Sequence, residues 1–296
     1  MTIILRMTWK ELLRKRVLLL TLFMTVLFLI AYWFIASAIG GEVHRYGLSP
    51  DDPQLLVERY SRGMFIISLG FFFGAFVVAF LSIFSSSSVI SGEAELGVMQ
   101  ALMPRPLPRW QWYAGRWLGY VSFGMGYALV LYAAILGVAG MHAGVPRDMG
   151  TLFIAYLLFA SVVPLLVSVS MLGSGFLSAI GNGVFMTMLY GGGWLGGMID
   201  KLAAQFASLQ ETVGGSLATI SGLLSLAMPA DGLQRTMMDR LFNMDALRQF
   251  TGIQVDSLMS MLGVGSAPSP AFLWYALAYT IVAFVLGIWR FQRKDL

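Results

Sequence analysis

Long stretches without a charged side chain constrain this chain more than any other feature. Val17 to Ile39, Gly63 to Ile90, Trp117 to Met141, Thr151 to Leu172, Phe176 to Ile199 and Ala271 to Trp289 hold no Asp, Glu, Lys, Arg or His. A helix needs roughly 20 apolar residues to cross a hydrocarbon core, and a helix satisfies every backbone polar group within itself. The runs therefore predict six transmembrane helices in one all-α membrane domain. With 58% hydrophobic and 11% charged residues, the chain could not coat a water-facing surface. Ala36 and Ala38 resemble a signal-peptidase site, but the run before them exceeds a secretory h-region, so the first span is expected to remain as an anchor.

The connecting segments have their own patterns. Arg6, Lys10 and Arg14 recur every four residues, with Ile3, Leu5, Trp9, Leu12 and Leu13 largely around the rest of the turn; this reads as an amphipathic interfacial helix, or otherwise as a basic flank to the first span. Gly40 to Arg62, with Pro50 and Pro53, reads as a loop. Ser85, Ser86, Ser87 and Ser88 end the second span, either back-bonding to the helix and marking its interface or lining a polar pathway. Pro164 predicts a kink in the fourth span. Gly192 and Gly196, and Gly193 and Gly197, are small residues four apart that let helices approach closely. Asp200 to Pro270 is expected to be an extracytoplasmic helical segment. Within it, Thr212 to Pro229 is too short and too rich in small residues for a full crossing, and is read as a re-entrant or interfacial helix.

Charge sets the orientation. Six spans put both termini and the segment from 91 to 116 on one side, with 11 of the 19 basic residues, while 11 of the 15 acids fall on the other. That basic side is expected to be cytoplasmic. Tyr32, Trp33, Trp194, Trp274 and Tyr275 then fall near outer ends, and Trp110, Trp112, Trp117 and Trp289 near inner ones.

Several functions lack residues to carry them. The chain has no cysteine and only two histidines, His44 and His142, so no metal site is expected. A copper(I) reading of Met141, His142, Met228, Met237, Met238, Met244, Met259 and Met261 competes with methionine as core filler. The centres of the spans carry no charge on which a coupling ion would usually be held. No lysine follows a glycine, so there is no phosphate-binding loop, and hydrolase motifs are missing as well. The chain is expected not to be an enzyme, and uphill transport would need energy from a partner.

Gly92 to Arg116 is where such a partner would act. Ser91 can cap a short helix whose first turn carries Glu93 and Glu95, favoured there by the helix dipole. Pro104, Pro106 and Pro108 end it, with Arg105 and Arg109 between them. Such a helix can dock in a groove on a soluble protein and pass its motion to the spans on both sides. The pattern Glu93, Glu95, Gly97, Leu102, Pro104 or Pro106, Arg109 and Gly115-Arg116 resembles the segment after the second span in type-2 ATP-binding-cassette (ABC) exporter permeases. Val98 stands where threonine is usual there, and Arg116 where lysine is common. Leu226 to Arg235, with Pro229 and Asp231, resembles a Pro-Asp element before the last span of related permeases.

The resemblance implies that Glu93, Glu95, Gly97, Arg105 and Arg109 lie on a coupling helix that contacts a separate ATPase. It implies two permease chains, identical or different, with two ATPases carrying ATP and Mg, in a prokaryotic cytoplasmic membrane, with no cofactor in this chain and no nucleic acid. The cargo is expected to be apolar or amphipathic. The alternatives are a membrane scaffold that transports nothing and an ion-coupled secondary transporter.

Overall fold

The computed structural model describes residues 2–41, 53–92, 108–143, 148–206, 211–243, 262, 264 and 267–293. Every regular element among them is an α-helix: α1 (Thr2–Arg14), α2 (Arg16–Gly41), α3 (Pro53–Ser86), α4 (Arg109–His142), α5 (Met149–Ser174), α6 (Ala179–Phe206), α7 (Glu211–Ala227), α8 (Ala230–Phe242) and α9 (Pro270–Arg293). Five of these, in α2, α3, α4, α5 and α9, are long and apolar enough to cross a membrane. α6 has 28 residues but is not among the five, because seven glycines and Asn182 dilute its hydropathy.

The loop expected from Gly40 to Arg62 is a correction: α3 already begins at Pro53. Proline suits the first helical position, where its missing N–H has no partner to lose, and Glu58 and Arg62 pair one turn apart within the helix.

α3, α4 and α5 form the centre, with α2 outside α3 and α4, and α9 against α5 and α4. Aromatic rings fill the junction: Phe71 lies 5.1 Å from Tyr132 and 5.4 Å from Phe159, centroid to centroid. Close approach needs glycine there, since a Cβ on Gly70 would come within 2.7 Å of both Ile135 and Tyr32. α1 packs along α4, with its Ile4 and Thr8 seated over Gly115 and Gly119. α5 runs on through Pro164 as one helix.

The segment between α6 and α9 departs most from expectation. α7 runs back along α6, with Leu224 over Gly196 and Met228 over Gly193. The chain reverses at Met228-Pro229, level with the middle of α6, and α8 returns toward the end it came from. Tyr275 and Tyr279 of α9 hold the tip by donating to the carbonyls of Leu226 (2.6 Å) and Ala227 (2.9 Å). Asn243, in the left-handed conformation that Asn tolerates, ends α8. α7 lies on the outer flank of α6, with Ile220, Leu223 and Leu226 about half exposed or more, and α8 lies inside, so the pair reverses within the length of α6 and returns to the end it came from.

α8 carries Asp231, Arg235, Asp239 and Arg240, so an outward position was expected. Instead eleven of its thirteen residues are buried, against α5 and α6. Its two buried charges, Asp231 and Arg235, are matched by neighbours. Asp231 Oδ2 lies 2.9 Å from Arg235 Nε, Asp231 Oδ1 3.6 Å from Lys201 Nζ, and Asp200 Oδ2 2.8 Å from Arg235 Nη1. Gln234 donates to the Phe71 carbonyl at 3.2 Å. The spans are free of central charge, but the interior of the bundle is not.

Candidate functional site

The chain leaves α3 and returns into α4 at one end of the bundle, and the residues that secure those two points form a continuous layer. Glu93, Glu95, Gly97 and Arg105 lie outside the described residues. Arg109 is described, at the first position of α4.

The α3 side is held by hydroxyls and one amide. Ser82 and Ser86 bond back to carbonyls one turn earlier, Val78 and Ser82, which leaves their own helix saturated. Beyond Ser86 the α-helix gives way to turns through Ile90. Three neighbours capture the backbone there. Ser174, the last residue of α5, accepts from the amides of Ile90 (3.0 Å) and Ser91 (3.1 Å). Asn182 of α6 donates to the carbonyls of Ser87 and Ser170, both at 2.8 Å, bridging α3 and α5. Lys15, at the junction of α1 and α2, donates to the Ser85 carbonyl at 3.4 Å. Gly173 is needed opposite Asn182, because a Cβ there would come within 2.2 Å of its amide oxygen. The backbone of the serine run is thus anchored on three sides, while the Ser87 side chain borders a cleft between α3 and α6.

The α4 side is held by basic and aromatic groups. Arg109 donates to the Gln292 carbonyl of α9 at 3.1 Å, and Trp112 stacks on Phe291 at 5.1 Å. Tyr113 approaches α9 where Gly287 leaves room, since a Cβ there would meet its hydroxyl at 1.9 Å. Arg116 is ion-paired with Glu11 of α1, which also pairs with Lys15 at 3.0 Å. Burial opposes ionisation of Glu11, but Arg116 and Lys15 outweigh it and hold its pKa below the ordinary carboxylate value. Arg290 of α9 lies 4.8 Å over the ring of Phe176 in the turn between α5 and α6. Lys15, Arg109, Arg116 and Arg290 thus gather at the same end.

The glycines of α6 serve a different place. Gly193, Gly196 and Gly197 lie against Met228, Leu224 and Asp231 of the hairpin, and Gly192 stands 3.9 Å from Leu224 when given a Cβ. They seat α7 and α8 within this chain. Met228, Met237 and Met238 are fully buried hydrophobic core, while Met141 is three-quarters exposed at the far end of α4. Nothing gathers these methionines around a common point.

Sequence reasoning located this end but missed Glu11, Lys15, Ser174 and Asn182. Asn182 gave the clearest signal, as the only amide side chain between Arg147 and Asp200.

No curated protein matches the chain. Residues 2–296 match the family model described as ABC-2 family transporter protein, so over nearly its whole length this multi-pass membrane protein belongs to the ABC-2 family of transporter permeases.

Proposed function

We propose that the chain is the membrane half of an exporter whose ATP hydrolysis is performed by a separate subunit. Residues 91–116 receive the ATPase through Glu93, Glu95, Gly97, Arg105 and Arg109. Two permease chains pair with two ATPases, which carry ATP and Mg, and an apolar or amphipathic cargo crosses between the permeases. On this reading α6 is the sixth crossing, the hairpin opens to the outside, and both termini face the cytoplasm of a prokaryotic cell.

The observation that carries the proposal is the double anchorage of the segment. Its leading end is bonded to α5 and α6 through Ser174 and Asn182, and its trailing end to α9 and α1 through Arg109 and Arg116. A displacement of residues 93–107 is therefore delivered to α3 and α4 and to the helices on either side. The basic residues clustered at this end support a cytoplasmic location.

The test is purification of the tagged chain from native membranes in mild detergent, with partner identification and an ATPase assay. The expected result is a stoichiometric P-loop ATPase that is lost, or uncoupled, on Glu93→Lys. Co-purification of other membrane proteins without an ATPase would favour the scaffold reading.

A further inference from the structure

On the side of the bundle away from the ion cluster, α4, α5, α8 and α9 line an open cleft of about 400 Å³. Its walls are hydrocarbon, with Trp117, Leu233, Leu277 and Phe284 prominent. The polar groups that reach it are already bonded: Trp117 to Ser168 Oγ (2.9 Å), Ser161 to the Leu158 carbonyl (2.7 Å) and Thr280 to the Ala276 carbonyl (2.8 Å). With walls of hydrocarbon and its hydroxyl donors already used, the cleft favours an apolar occupant over water. Its mouth lies on the outer flank of α9, where Leu277 and Ile281 are about half exposed.

Along α9 the lining runs from Leu273 to Phe284, which at 1.5 Å per residue is about 16 Å. Half of the roughly 30 Å hydrocarbon core is nearly the same length. We infer that the cleft binds one lipid acyl chain, drawn from the leaflet at the N-terminal end of α9; only its assignment as the outer leaflet rests on the proposed topology. Asp231 and Arg235 turn toward α6, so among the described residues it is hydrocarbon, and not a charge, that lines the space. The acyl chain is that of a resident membrane lipid.

The experiment uses the full chain, without ATPase, in vesicles of phosphatidylglycerol and phosphatidylethanolamine with a rising fraction of brominated acyl chains. The difference between wild type and Trp117→Phe gives the quenching of Trp117. Strong quenching, equal for both headgroups and largely lost when Ala276→Phe fills the cleft, is expected. Thr280→Leu is a milder filler if the first variant does not fold. Unquenched Trp117, or quenching unchanged in the filled variants, overturns the inference. Because no ATPase is present, this result is independent of whether the transport proposal holds.

Discussion

The two ends of this bundle bury polar groups by different means. At the end where residues 91–116 attach, the buried contacts between helices are mostly neutral hydroxyls and an amide bonded to backbone, through Ser174 and Asn182. In the hairpin they are full charges: Lys201, Asp231 and Arg235 are each at least nine-tenths buried. A neutral hydrogen bond contributes about 0.5–1.5 kcal/mol net, whereas removing one member of a buried ion pair costs about 3–5 kcal/mol. The α3 joint is thus held by bonds weak enough to exchange, while the hairpin, like the Arg116–Glu11 pair on the α4 side of the other end, is held by charge. The comparison suggests that α6, α7 and α8 move as one body while the contacts around α3 re-form.

The strongest challenge is at Asp231. Asp231→Ala leaves Lys201 and Arg235 short of a counter-charge and should destabilise the protein by about 3–5 kcal/mol, read as a lowered thermal unfolding midpoint in nanodiscs. A loss below about 1 kcal/mol would mean that water reaches the cluster and the hairpin is not locked. Gly197→Leu tests the same region sterically, because a Cβ at 197 would already lie 1.9 Å from Asp231 Oδ2. Overpacking should cost about 1–3 kcal/mol.

The hairpin also shows where sequence reasoning runs out. Apolar runs define a helix that must be long and wholly hydrophobic, and α2, α3, α4, α5 and α9 lie close to the predicted spans. α8 is opposite in character. Its charges put it in the extracytoplasmic segment, and only tertiary structure reveals that Lys201 and Asp200, some 30 residues earlier in the chain, pair with Asp231 and Arg235. The Gly-rich face of α6 was legible as a packing surface, but its partner was not, since nothing local encodes which helix fills it. At the other end, the run Ser85 to Ser88 was visible while its captor Ser174 was not, because Ser174 is one of four serines in α5 and nothing local singles it out.

A smaller effect is expected at Asn182. Asn182→Ala removes the donors to the Ser87 and Ser170 carbonyls, which should cost about 1–3 kcal/mol. The informative readout is functional. If this end is the exchangeable joint, the ATPase should still bind while transport per ATP hydrolysed falls. Wild-type coupling in a folded Asn182→Ala chain would break the contrast between the two ends.

The smallest effect concerns the link from α1 to α4, where Glu11 meets Arg116 and Lys15. Because its folded pKa is depressed, the carboxylate binds protons less readily folded than unfolded, so its stabilisation is fully present above the ordinary value of 4.5. The contribution is lost as pH falls through the lower folded value. Protection of the α1 amides, corrected for the intrinsic pH dependence of exchange, should therefore fall on acidification below about pH 4.5, and Glu11→Gln should show lower protection at neutral pH with the acid-dependent step removed. Glu11 is about one-third exposed, so solvent screening keeps the effect modest, and at neutral pH Glu11→Gln should leave the hairpin closed. Opening of α7 and α8 together with α1 would show that the two ends are not independent.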